Sequence, residues 1–234
     1  LNEGNLKHSF FQACGSAFLT CGHYSLGDLK LAAVYATRLT KIRTDSEAID
    51  DQKAGTNMFI HWGNGIMKFV TWQKEEFRNV FSKMYSLTKT YPNATGKYPS
   101  GLMDGHFKRM MACMAIQNGE WDSVESLLQT DFIDDMEKFI ITPYFAHIEV
   151  IVNFAAYAHL SLYNYKLENG IDTADSERVI RAIRTGIENI AVVVPASHRC
   201  SGTVYVARIS IALKDRPFTD IFKKLEKALL QITI

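Results

Sequence analysis

The stretch EEFRNVFSKMYSLT, residues 75–88, decides the fold class of this chain. Its apolar residues recur at intervals of three and four, at positions 77, 80, 81, 84 and 85. That spacing gathers them into one stripe along an α-helix. The same pattern occurs in Val179–Ile190 and in Phe218–Leu229, whereas the one β-branched cluster, residues 192–194, ends at once in Pro195. The sequence therefore predicts an all-α protein.

Turn signals recur along the chain at a nearly fixed interval. They lie near Tyr24, Trp72, Trp121, Gly170 and Pro217, which are 47 to 49 residues apart. Acidic and capping residues accompany these points, as they do at helix N-termini. The spacing predicts about five antiparallel helical hairpins with a period of about 48 residues. They would stack as a short α/α-repeat array or form an irregular bundle, in one domain over residues 1–234.

Longer connectors are predicted between hairpins at Thr44–Asn57, Thr90–Gly105 and Ala191–Gly202, and the second of these is the richest in Pro, Gly and Asn. The segment Asp131–Ile141 is predicted to add a short acidic helix.

Gly63-Asn64-Gly65 lies inside a helical pattern and has no strand before it, so it indicates a close helix crossing or a kink rather than a phosphate loop.

Two hairpins resemble those of the tetratricopeptide family. Residues 11–19 (FQACGSAFL) with 32–36 (AAVYA) carry one resemblance, and residues 111–116 (MACMAI) with 118–124 (NGEWDSV) carry the other. The resemblance implies that small side chains let paired helices pack closely and that a Gly-containing turn precedes an aromatic residue or Asp. The chain departs from the family in having a period longer than 34 residues and no regular proline after each second helix.

Composition points to a soluble, cytoplasmic protein without a general electrostatic attraction to nucleic acid or an anionic membrane. Twenty-six Lys and Arg residues against 25 Asp and Glu leave a formal charge of +1, which gives no general field for nucleic acid. The four cysteines include no C-x-x-C pair, as expected for reduced thiols. The longest apolar stretch, residues 148–162, is interrupted by Asn153 and His159 and is too short to span a membrane.

Signatures of metal and cofactor chemistry are missing from the sequence. His147-Ile148-Glu149-Val150 lacks the second histidine of a zinc-binding helix, and no Glu-x-x-His pairs occur. His198-Arg199-Cys200 is the most suggestive group for a nucleophile, but neighbouring side chains rarely face one another and a chance loop cysteine explains it better. The sequence therefore predicts no metal, no cofactor and no identifiable catalytic residue.

Aromatic and histidine positions alternate along residues 144–165. Protein interfaces favour Tyr, Trp and Arg as hot spots, so this stretch and the loops before it are the predicted interface. The alternative is that Trp62, Trp72 and Tyr157 pack in the core, with their polar tips bonded inside the fold. The predicted binding residues are Tyr144, His147, Tyr157, His159, Tyr163, His106 and Arg109.

The leading functional prediction is a non-catalytic helical domain that binds another protein, because stacked hairpins present an extended surface and enzyme signatures are missing. Its most concrete form is an immunity protein that neutralises a toxin, an interpretation that rests on fold-level analogy.

Two other classes stay open. An enzyme site could assemble from distant helices around His106, Arg109, His147 or His159. Nucleic-acid binding is disfavoured by the charge balance, and only the basic edge Arg178, Arg181 and Arg184 supports it. The lysines between residues 214 and 227 are interpreted as a solvated helix face.

Overall fold

The computed structural model describes residues 3–25, 27–42, 51–94, 100–128, 145–190 and 196–230. Across these ranges the chain forms ten α-helices and no strand, which confirms the predicted all-α class. The helices are α1 (Glu3–Ser25), α2 (Leu29–Leu39), α3 (Asp51–Val70), α4 (Lys74–Thr90), α5 (Ser100–Asn118), α6 (Trp121–Leu128), α7 (Phe145–Glu168), α8 (Ala174–Ile190), α9 (Ala196–Leu213) and α10 (Phe218–Leu230).

Five tight turns join consecutive helices, and each contains a residue with positive φ. These residues are Gly27, Trp72, Gly119, Gly170 and Lys214, which are 44 to 51 residues apart. At the first four turns, the next residue donates its amide N–H to the carbonyl five residues earlier. This bond closes a helix end of the Schellman type and turns the chain back. The five predicted turns between helices are therefore present, and the interpretation of the helix pairs as related repeats stays a prediction.

The first of two compact units comprises residues 1–107. In it α1 packs against α2 and α3, and α3 packs against α4. Trp62 is fully buried, and its ring lies edge-on to Phe18 with 5.3 Å between ring centroids. Phe77 and Phe107 stack nearby with centroids 5.6 Å apart. Burial of these aromatic side chains supplies much of the driving force for folding this unit.

Two glycines of α3 let neighbouring elements approach its backbone. A Cβ atom on Gly63 would collide with the side chain of Leu39 and lie 3.3 Å from the Cα of Ala17. A Cβ atom on Gly65 would collide with the ring of Phe107. The prediction of a close crossing at this Gly-Asn-Gly segment is confirmed.

The second compact unit comprises residues 108–234, and the division between the units falls within α5. Here α7 packs against α6, α8 and α9, and α9 also packs against α8 and α10. Ala155, Ala156 and Ala158 are fully buried on α7, so small side chains set the spacing of this helix from its neighbours. The prediction of a single domain over residues 1–234 is not tested by this division.

Three helices begin earlier than predicted. Helices α3, α5 and α9 start five or six residues before the predicted connectors end. The glycines that suggested loops lie at close contacts inside helices: a Cβ on Gly55 would collide with the carbonyl oxygen of Ala94, and one on Gly202 would lie 2.9 Å from Ile187. Packing against these neighbours outweighs the low helix propensity of glycine. The predicted acidic helix at Asp131–Ile141 lies outside the described residues.

Candidate functional site

Four of the seven predicted binding residues have described side chains. Tyr144 lies outside the described residues, as do the side chains of His106 and His147. The other four belong to the second unit, where they lie on α5 and α7. They are Arg109, Tyr157, His159 and Tyr163.

Arg109 and His159 are neighbours in the interior of the second unit. They are only 3% and 6% exposed, and Tyr163 on the same helix as His159 is 5% exposed. Burial and the positive charge of Arg109 lower the pKa of His159 to about 3. His159 is therefore neutral at physiological pH, and these three residues contribute to the packed interior. Their assignment to a partner-binding surface stays a prediction.

Tyr157 of α7 is half-buried and contacts α5. Gln117 donates a hydrogen bond from Nε2 to the hydroxyl of Tyr157 over 2.7 Å. Cys113 on the same face of α5 donates from Sγ to the carbonyl of Phe154 over 3.8 Å. Burial raises the pKa of Cys113 to about 12, so its thiol is protonated and a poor nucleophile. The polar groups described here tie the two helices together.

The predicted basic edge of α8 is engaged in ion pairs. Arg184 donates to both carboxylate oxygens of Asp215, over 2.7 and 2.8 Å. Arg181 bonds both Asp215 and Glu177, over 2.6 and 2.7 Å. Arg178 lies 3.8 Å from Asp175. The edge therefore carries much less uncompensated positive charge than its sequence suggests.

Basic residues near the C-terminus pair in the same way. Arg216 donates two hydrogen bonds to the two carboxylate oxygens of Glu188, over 2.6 and 3.0 Å, and Lys224 lies 3.5 Å from that carboxylate. The hydrogen bond from Arg216 lowers the pKa of Glu188, against the opposing effect of partial burial. This bidentate pair fixes the turn between α9 and α10 to α8.

Helix α2 carries apolar residues on two faces, and among the described residues of the first unit one of these faces is buried and the other is exposed. Ala32, Ala36 and Leu39, at i, i+4 and i+7, are buried against α1 and α3. A second set at i, i+3, i+4 and i+7 lies on another side, and we call it the outer stripe of α2. It consists of Leu31, Val34, Tyr35 and Arg38. Leu31, Val34 and Arg38 are exposed, and Tyr35 is partly exposed.

The ring of Tyr35 contacts two neighbouring side chains. His23 at the end of α1 stacks on it with centroids 5.3 Å apart and planes 7° from parallel. The guanidinium carbon of Arg38 lies 4.7 Å from the ring centroid, in cation–π geometry. A tyrosine fixed in this way loses little side-chain entropy when it binds, which suits it to a protein interface.

Exposed apolar side chains concentrate on the first and last hairpins. Of the fourteen large apolar side chains that are exposed in the described part of the chain, ten lie on α1–α2 and α9–α10, so apolar exposure is not spread evenly along the hairpins.

Trp72, expected in the core, is 46% exposed because it occupies the left-handed turn position beyond α3. Lys74 extends over its ring, 4.9 Å from the centroid.

Metal-binding clusters and membrane-spanning helices are missing from the described part of the chain. In these ranges, no three His, Cys, Asp or Glu side chains lie close enough together to hold a metal ion. Among the described helices, none combines the length and apolarity required to cross a bilayer. Comparison with known protein families, characterised proteins and solved structures found no match to the chain.

Proposed function

We propose that this chain is a non-catalytic helical protein that binds another protein through the outer stripe of α2. The single observation that carries the proposal is the second apolar face of α2. A surface helix normally has one apolar side, which faces its own core, and a polar side in water. Exposure of Leu31 and Val34 beside Tyr35 and Arg38 costs solvation free energy that a covering partner would recover.

The residue types of the stripe also support a protein partner. Tyr and Arg are the side chains most enriched at interface hot spots, and here they contact each other directly. Leu31 and Val34 flank them as aliphatic surface that would exclude water around the pair. The proposal places the contact on a surface that the sequence interpretation did not select.

The most specific form of the proposal is an immunity protein acting in the cytoplasm on a toxin. Two features agree with it: an all-helical fold and an exposed apolar surface with one cationic group, Arg38. Fold-level analogy is the remaining support, so the toxin needs its own test.

Site-specific photo-crosslinking tests the proposal. A benzophenone amino acid is placed at Val34 in one variant and at Thr37 in the matched control. Both positions are exposed on α2, but Thr37 lies outside the outer stripe. In host lysate we expect one protein to crosslink to the variant at Val34 and to crosslink weakly or not at all at Thr37. The crosslink at Val34 should disappear when Leu31 is also changed to Ser. Equal crosslinking at the two positions, or none at either, would refute binding through the stripe.

A second experiment separates the immunity form from protein binding in general. The crosslinked protein is expressed alone and together with this chain. If it is toxic, and if the wild-type chain relieves the toxicity better than the double variant Leu31→Ser, Val34→Ser, the immunity form is supported. If the partner is harmless to the cell, the immunity form fails although the interface proposal stands.

A further inference from the structure

A cavity of about 470 Å³ lies between α9 and α10 in the second unit. One wall is a stripe of α9 at i, i+3, i+4 and i+7, comprising Thr203, Val206, Ala207 and Ser210. Ile221 of α10 faces it. Three of the four α9 side chains are small, so the two helices leave between them a space that their side chains do not fill. The volume is within the range of about 300 to 1,000 Å³ found for small-molecule sites.

Cationic side chains line the cavity where it meets the surface. Arg216, Lys223 and Lys224 contribute positive charge, and Asp220 is a lining carboxylate. Glu188 beyond the lining pairs with Arg216 and, at 3.5 Å, with Lys224. Counting Glu188 with the lining groups, three cations face two carboxylates, so the charged part of the lining is net positive, whereas Val206, Ala207 and Ile221 are apolar.

We propose that this cavity binds a small amphiphilic anion, with its apolar body between α9 and α10 and its carboxylate or phosphate head at the lysines. Lys224 is the group best placed to turn toward the head, because its side chain is 59% exposed and its ion pair with Glu188 is long. Lys223 is exposed at the same rim. Arg216 stays on Glu188 and keeps the rim in position. This site is separate from the outer stripe of α2 and does not depend on the proposed protein partner.

Calorimetric titration with three ten-carbon probes tests the chemistry of the ligand. Decanoate and decyl phosphate carry the two anionic heads, and decanol carries none. We expect saturable one-to-one binding of at least one anionic probe, with decanol at least about tenfold weaker. The tighter of the two anionic probes identifies the head group. Absence of saturable binding, or equal binding of decanol, would overturn the proposal.

Variants locate the binding in the cavity. Ala207→Leu adds three carbon atoms to the cavity wall, and it should weaken binding of the anionic probe by about tenfold or more. Thr203→Leu replaces a hydroxyl group with a larger apolar side chain and should weaken it in the same direction. Lys223→Gln should weaken it about threefold, whereas Lys227→Gln, on the same helix but outside the cavity lining, should not change it. Circular dichroism and thermal unfolding identify variants that fold. Unchanged affinity in a folded cavity-filling variant would overturn the assignment.

Discussion

Asp215 accepts hydrogen bonds from Arg184 at both of its carboxylate oxygens, and this relationship joins α8 to the turn between α9 and α10. Nη1 of Arg184 lies 2.7 Å from Oδ1 and 2.8 Å from Oδ2. The Arg184 side chain is only 12% exposed, so its charge depends on Asp215 for compensation. Through this pair the carboxylate of Asp215 anchors the turn before α10 to α8.

Removal of this carboxylate should destabilise the second unit. We expect Asp215→Asn to lower the free energy of unfolding by about 2 kcal/mol, because Arg184 and Arg181 lose charge-assisted hydrogen bonds. Urea denaturation measures the change. The control is Asp175→Asn, whose side chain is 96% exposed and 3.8 Å from Arg178, and which should cost less than about 0.5 kcal/mol. Equal losses in the two variants would contradict the structural role of Asp215.

Acid should destabilise the chain through His159. Its pKa is about 3 in the folded chain against 6.5 for a free histidine. Between these values the unfolded chain binds a proton at this position and the folded chain does not, so stability falls as the pH falls. From pH 7 to pH 5 the loss should be about 2 kcal/mol.

The variant His159→Gln isolates that contribution. It removes the proton uptake of the unfolded state, so its unfolding free energy should depend less steeply on pH over this range. His8→Gln makes the same substitution at an exposed position on α1 and serves as the matched control. A wild-type slope in His159→Gln would show that His159 is not buried as a neutral group.

Substitutions at two left-handed turn residues should change the free energy of unfolding in opposite directions. Lys214 has φ 52°, and Lys214→Gly should raise the unfolding free energy by about 1 kcal/mol because glycine adopts this conformation without strain. Gly170 has φ 66° with open space where a Cβ atom would lie, so Gly170→Ala should lower it by about 1 kcal/mol through backbone strain alone. Thermal unfolding gives both signs, and a shift in the same direction for both would argue against the turn geometry.

Substitutions of two helical glycines in the first unit should also change stability in opposite directions. Gly63→Ala should destabilise by about 2 kcal/mol, because its Cβ would overlap Leu39 at the helix crossing. Gly15→Ala should stabilise by up to about 1 kcal/mol, since it is exposed on α1 with nothing within 4 Å of the new atom. Chemical denaturation compares the two variants. Tolerance of alanine at Gly63 would show that α3 is not closely approached there.

Local signals were sufficient to locate the helices and turns. Apolar periodicity and glycines such as Gly119 and Gly170 act within a few residues, so the sequence displays them directly. Helix starts were predicted too late where a glycine such as Gly55 allows another segment to approach closely. For Gly55 that segment contains Ala94, about forty residues away, so the local sequence does not display the contact.

The candidate site was much less predictable than the fold. His159 and Tyr163 have residue types common at interfaces, yet their side chains turn inward because α7 is surrounded by other helices of its unit. The residues of the second apolar face of α2, Leu31, Val34 and Tyr35, can be read in the sequence. Whether these residues are exposed can be decided only when the face of α2 that packs against the core is known.

The short turns between helices also bear on how the chain folds during synthesis. Each turn brings together two helices that are consecutive in sequence, so closing it costs little chain entropy. Contacts between such neighbours keep the mean sequence separation low, which favours rapid folding. We therefore expect each hairpin to form soon after its second helix leaves the ribosome, before the following helices have been made.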